Sequence, residues 1–231
     1  MNNTKTFIAL VPIMILALAL VSCNGRNSGT VPGGNTDLYS SATVGDIVQF
    51  GGYDWIVLDV QNGKALIISD KILAKRAYYP GDESITWEES SVRGYLNGSF
   101  YDGTFTTEEK ARISETSVIN DNNPWFGTNG GIVTVDKLFL LSIEEVVQYF
   151  GDSGELEEAN TGRVFVLTDQ YNSARIAYDE TGTASLWWLR SPGDFTYKAA
   201  LVTYDGILSV MGGFAEVDSG GVRPALWMDL G

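Results

Sequence analysis

The spacing of apolar and polar positions changes several times along the chain. Residues 7–22, FIALVPIMILALALVS, are apolar and carry no charge. Sixteen residues fall short of the roughly 20 that a spanning helix needs, and Pro12 interrupts them. Residues 24–41 are rich in Gly, Ser, Asn and Thr, have no apolar period and predict a flexible tether. Alternation begins near Thr43. Asp46 to Asp59, DIVQFGGYDWIVLD, holds two β-rich runs broken by Gly51-Gly52 and predicts a hairpin. Ala65 to Ser69 predicts a third strand, apolar enough to be buried on both faces.

Helical signals follow. Thr86 and Glu89 have capping-box spacing ahead of Trp87, Val92, Tyr95 and Leu96, and Asn97-Gly98 would end that helix. Thr106 with Glu109 starts a second helix toward Ile113. Ser142 with Glu145 starts a third that ends at Gly151. Between them, 120–131 is a polar and Gly-rich loop around Trp125 and Phe126. Period two returns in the last third. Leu186 to Arg190 predicts a central strand, and Ala199 to Tyr204 with Ile207 to Met211 a hairpin turning at Asp205-Gly206. Gly212-Gly213 and 218–221 mark further turns, and Val222 to Met228 closes the chain as a strand. Strands first, helices in the middle and a meander at the end predict an α+β domain over 42–231. Its first and last strands are expected to pair.

Composition narrows the chemistry. With 44% apolar and 12% aromatic residues the chain can bury a sizeable core, so disorder of the whole is excluded. The net charge of −14 repels phosphate backbones and argues against a nucleic-acid partner. There is no His, which excludes a Ser-His-Asp triad and a His-rich zinc site. The one Cys excludes an internal disulfide.

That Cys stands at the end of the apolar run, in Leu20-Val21-Ser22-Cys23. The segment resembles a bacterial lipobox behind a signal-peptide core. The resemblance implies cleavage of residues 1–22, lipid attachment to Cys23, and a domain tethered by 23–41 at the cell envelope, outside the cytoplasm.

Five segments in order carry a second resemblance: FGGYDWIVLD, TWEESSVRGYLNGSFYDGTF, VDKLFLLSIEEVVQYF, WWLRSPG and GVRPALW. Over residues 43 to 231 the chain resembles DUF6273, a bacterial domain of unknown function. Such domains look related to the formylglycine-generating-enzyme type of C-type-lectin-like fold. The expectation is therefore a twisted antiparallel sheet with two main short helices and paired N- and C-terminal strands. The oxidase activity of that type needs cysteines that are absent here. Calcium-dependent lectins use Glu-Pro-Asn or Gln-Pro-Asp tripeptides, also absent.

Candidate ligand-binding residues cluster in the last third. Trp187 and Trp188 point to opposite faces of a strand, so one of them, Trp188, would be free to stack on a ligand. Loops carry Asp194, Phe195, Tyr197, Tyr204, Asp205, Phe214 and Asp218, residue types that suit adaptable recognition, expected at one end of the sheet. Arg190 before Pro192, and Arg223 before Pro224, are expected to hold turns through buried acids or carbonyls. Asp121, Asn122 and Asn123 are oxygen donors for a possible calcium ion, without EF-hand spacing.

The leading expectation is a non-catalytic binding or display lipoprotein whose ligand is a glycan, a wall component or a protein. The alternatives are a receptor diversified in its carboxyl-terminal loops and a carboxylate-based envelope hydrolase. The lipid assignment has its own check. In a bacterial host fed a tagged fatty acid, the chain should take up label and enter the detergent phase. Cys23→Ser should take up none and keep its leader; label on that variant would refute the assignment.

Overall fold

The computed structural model describes residues 39–157, 159 and 165–231. The apolar segment, Cys23 and the tether up to residue 38 lie outside them. Within the expected tether, Tyr39 packs edge-on against Phe50, centroids 6.1 Å apart, and donates to the Gln49 carbonyl.

The chain opens with the expected hairpin. β1 (Ile47–Phe50) and β2 (Tyr53–Gln61) pair with Phe50 opposite Tyr53, leaving Gly51-Gly52 as a two-residue turn. β3 (Lys64–Ser69) follows antiparallel, buried from Ala65 to Ser69. A short β4 (Ala74–Lys75) leads into the helical region.

The first helix differs from expectation. α1 (Ser91–Tyr95) is capped by Ser90, whose side chain accepts from the Arg93 amide, and not by Thr86. Trp87 explains the shift. Its indole is fully buried and donates to Asp136 at 2.9 Å, which holds 87–89 in a turn before the helix can begin. Asn97-Gly98 does not stop the helix either. The chain passes through a π-helical turn (Leu96–Phe100), kinked at Gly98, into α2 (Tyr101–Thr104). Asn97 instead bridges outward, donating to the Leu138 carbonyl and accepting from the Lys137 amide at 2.7 Å. Burial of Leu96, Phe100 and Tyr101 draws the helical path onward.

α3 (Thr107–Arg112) and, after the hairpin β5 (Thr116–Val118) and β6 (Thr134–Asp136), α4 (Ile143–Phe150) carry complete capping boxes on Thr106/Glu109 and Ser142/Glu145. Then come β7 (Val166–Leu167), α5 (Asn172–Arg175), β8 (Ala177–Tyr178) and β9 (Ala184–Ser185).

The last third is strand-rich: β10 (Trp187–Pro192), β11 (Lys198–Val202), β12 (Leu208–Phe214), β13 (Gly221–Val222) and β14 (Ala225–Asp229). β10 is buried along its whole length. The β11–β12 turn has three residues and not two. Thr203 and Ile207 pair across Tyr204-Asp205-Gly206, and Gly206 supplies the positive φ of 81° that closes such a loop. Gly212-Gly213 is no turn but part of β12, where the register with β11 shifts. Gly212 has φ 73°, and a Cβ there would run into the Ala199 carbonyl.

Two main sheets result, ordered β1-β2-β3-β14 and β4-β13-β10-β11-β12-β7. Among the described residues all strand pairings are antiparallel except β10 with β13. The class is mixed α+β with mostly antiparallel sheets and few helices. The expected closing strand is divided at Arg223-Pro224. Residues before it pair in the larger sheet, residues after it in the smaller one, because proline removes a ladder donor there. The expected pairing of first and last strands is corrected accordingly. β14 pairs with β3, and β1 occupies the opposite edge.

Four tryptophans, 55, 87, 187 and 188, are almost wholly buried, and each indole N–H has an acceptor at 2.8–3.0 Å. Of the three buried arginines among the described residues, two brace this core through ion pairs. Arg190 pairs with Glu145 through both terminal nitrogens and donates to the Leu140 and Ile119 carbonyls. Arg175 pairs with Asp169 at 2.7 Å.

Arg190→Ala leaves Glu145 and two carbonyls without their donor, and should lower unfolding free energy by about 3–5 kcal/mol in urea titrations. A loss below 1 kcal/mol would show that the pair is not a brace.

Burial pushes the Asp169 carboxyl up, but Arg175, the Tyr171 amide and the Ser153 hydroxyl outweigh it, so the group titrates below its ordinary range. Its contribution is present above the unfolded pKa of about 3.9 and is lost as pH falls through the lower folded value. Asp169→Asn should therefore be less stable at neutral pH, with the gap closing in acid. A gap that does not change with pH would overturn this.

Candidate functional site

The site is built on the end of β10. Gly193 to Tyr197 links β10 to β11, and the chain passes the same end again after β12, at Phe214 to Val217. Backbone hydrogen bonds stitch these passes together: Gly193 and Lys198 at 2.8 Å, Asp194 to Met211 at 3.0 Å, Ala215 to Tyr197 at 3.1 Å. A third strip, 79–85, is tied to both, through Tyr79 to Ala215 at 3.0 Å and Ile85 to Thr196 at 2.8 Å. The Ser84 and Thr196 hydroxyls meet at 2.7 Å.

The loop 120–131 supports this end from behind. Asn123, 1% exposed, donates to the carbonyls of Pro192 (2.8 Å) and Val210 (2.7 Å). Its side-chain oxygen accepts from the Trp125 and Phe126 amides. Thr128 donates to the Asp194 carbonyl at 3.1 Å. The Asn122 side-chain oxygen accepts from the Gly130 amide. Both Asn side chains proposed as calcium donors thus have backbone partners. Among the described residues no group of three or more His, Cys, Asp or Glu is arranged to hold a metal ion.

On this frame Phe195, Tyr197 and Phe214 form a ladder of parallel rings. Tyr197 lies 5.4 Å from Phe195 at 6° and 5.9 Å from Phe214 at 11°. Phe195 and Phe214 are 52% and 53% exposed, a large apolar exposure on rings held in register. The Lys198 ammonium lies over the faces of the two outer rings, 5.4 Å from the Phe195 centroid and 5.2 Å from Phe214. Asp194 pairs with it at 3.1 Å. Beside the ladder an open cleft of about 250 Å³ is lined by Tyr197, Phe214, Gly81, Asp82 and Glu216. A somewhat larger depression, about 320 Å³, lies between Gln61, Lys64, Glu115 and Trp227, without a comparable run of rings.

Of the residues expected to bind, Phe195, Tyr197 and Phe214 come together. Asp194 serves the ladder by neutralising Lys198. Asp218 is exposed but does not line the cleft. Trp188 is corrected to a core residue, 1% exposed and donating to the Arg76 carbonyl at 3.0 Å. Tyr204 and Asp205 lie at the opposite end of the β11–β12 hairpin, so the expected single cluster is divided by the length of the strands. Asp205 accepts from Thr203, within its own turn. Arg223 sits between Phe150 and Trp187, 5.3 and 5.1 Å from their centroids, and donates to the Ser69 carbonyl. Asp82 and Glu216 were missed by sequence reasoning. The available signal was Pro80-Gly81-Asp82, a turn-forming sequence whose place beside Phe214 depends on long-range pairing.

The family model described as "Domain of unknown function (DUF6273)" matches residues 62–230. No curated protein and no solved structure matches the chain.

Proposed function

The chain belongs to the DUF6273 family, whose description assigns no activity, and we propose that it is a non-catalytic binding module held at the cell envelope by lipid on Cys23. The ligand is a glycan, recognised at the Phe195–Tyr197–Phe214 ladder. The observation that carries this reading is a set of three parallel rings, the outer two exposed and Tyr197 half-buried between them, beside a cleft with two carboxylates. Flat rings stack on the C–H face of a sugar, and carboxylates accept from its hydroxyls. A soluble protein has no folding reason to leave such a surface uncovered. The apolar segment ending at Cys23 supports the address.

We further read the fold as a variant of the C-type-lectin-like type. Support comes from the closing strand, which returns to the sheet of the opening hairpin. Function on that reading lies in the loops and not in the sheets.

Full-length protein in mild detergent should melt higher with neutral wall-type oligosaccharides, by an amount that grows with ligand concentration. Phe195→Ala with Phe214→Ala should weaken binding about ten-fold or more while the circular dichroism spectrum is kept. A panel of glycans without any shift would overturn the proposal.

A further inference from the structure

We infer that the cleft between Asp82 and Glu216 selects glycans carrying a free, protonated amino group. The inference rests on the glycan reading above and names the ligand class of the same site.

Both carboxylates are exposed, line the cleft, and have no hydrogen-bond or ion-pair partner among the described residues. The acceptors near them are therefore unspent. Asp136, which accepts from Trp87, Arg93 and Thr134, and Asp179, which pairs with Lys75 at 2.7 Å, are engaged; what sets Asp82 and Glu216 apart from other free surface carboxylates is that both line one cleft beside the rings. Glu83 adds a third negative charge next to Gly81. The cation nearest the ladder, Lys198, is neutralised by Asp194. The cleft thus presents two unpaired carboxylates beside the Tyr197 and Phe214 rings. Their charge attracts a cation.

A neutral or N-acetylated sugar supplies only hydroxyl and amide donors to these carboxylates. An ammonium group on the same ring adds a full positive charge to the hydrogen bond, so donor and acceptor are both ionised and attract each other directly. Anionic polymers are repelled. A bare organic cation would cover one ring, whereas the ladder runs across three. At about 250 Å³ the cleft lies below the roughly 300–1,000 Å³ of pockets that enclose a whole small molecule. It suits one unit of a longer chain whose neighbours lie along the rings.

The test compares glucosamine oligomers with their fully N-acetylated counterparts, by calorimetric titration of the full chain in detergent. The free-amine oligomer should bind at least ten-fold tighter, and the preference should shrink with added salt and at alkaline pH, where the amine is neutral. Asp82→Asn with Glu216→Gln should bring the two ligands to the same affinity, with an unchanged melting point showing that the fold is kept. Equal binding of both oligomers by the wild type would overturn the inference and leave the glycan reading standing. Binding of neither would overturn both. Binding of lysine or choline as tight as that of the oligomer would also overturn it, by showing a cation site with no use for the sugar.

Discussion

A buried guanidinium must find an acceptor for each donor it brings from water, and Arg190 meets that demand by gathering three parts of the chain. Glu145 comes from the first turn of α4, the Ile119 carbonyl from the residue that follows β5, and the Leu140 carbonyl from the segment between β6 and α4. The Arg190 backbone adds two more ties, donating to Leu141 and accepting from Tyr78. Glu145 serves twice, since it also closes the capping box of α4. Desolvating such an ion is expensive, so the arrangement holds only when all partners are in place. This fixes β10 in a single position. Everything beyond Pro192, including the aromatic ladder, inherits that position.

Arg223 meets that demand only in part: its buried Nη1 has no hydrogen-bond acceptor. It stands where the chain crosses from the larger sheet to the smaller one, and its Nε donates to the Ser69 carbonyl. Among the described residues no carboxylate is ion-paired with it, and Asp70 acts only as a nearby charge; Phe150 and Trp187 supply ring faces. Burial lowers its pKa to about 10, which still leaves it charged at neutral pH. One cation thus anchors the central strand through ions and carbonyls, and the other anchors the sheet crossing through aromatic faces. Pro224 enforces the crossing by denying a ladder donor.

What was legible in the sequence was local. The Gly51-Gly52 hairpin and the Thr106 and Ser142 capping boxes need only residues a few positions apart, and all three formed as expected. Thr86 and Glu89 had the same spacing and formed no box, because the long-range bond from Trp87 to Asp136 holds these residues in a turn. Gly212-Gly213 looked like a turn and is a bulge, since cross-strand register and not composition sets its role. The closing strand read as one run because nothing in VRPALWM says that its halves join different sheets. Among site residues, the aromatic character of the loops at 195, 197 and 214 was visible. Trp188 and Tyr204 had the same chemistry and were separated from the ladder by burial in one case and by strand length in the other. Asp82 and Glu216 are 134 positions apart, beyond the reach of local reasoning.

The division between frame and ladder bears on how a ligand would be met. The loops that carry the rings hang from backbone bonds to Met211, Tyr197, Thr196 and Ala215, and from the Asn123 and Thr128 side chains behind them. Few degrees of freedom remain to be frozen there when a ligand arrives. Ordering loops and side chains is a main cost of association, so a surface ordered beforehand keeps more of its contact energy as affinity. Rings with two torsions each lose little on binding. The same reasoning separates the ladder from the exposed aliphatic residues of the β5–β6 region, Ile119, Ile132, Val133 and Val135. Those side chains can exclude water but have no direction, whereas parallel rings flanked by unspent carboxylates dictate both the plane and the charge of what they hold.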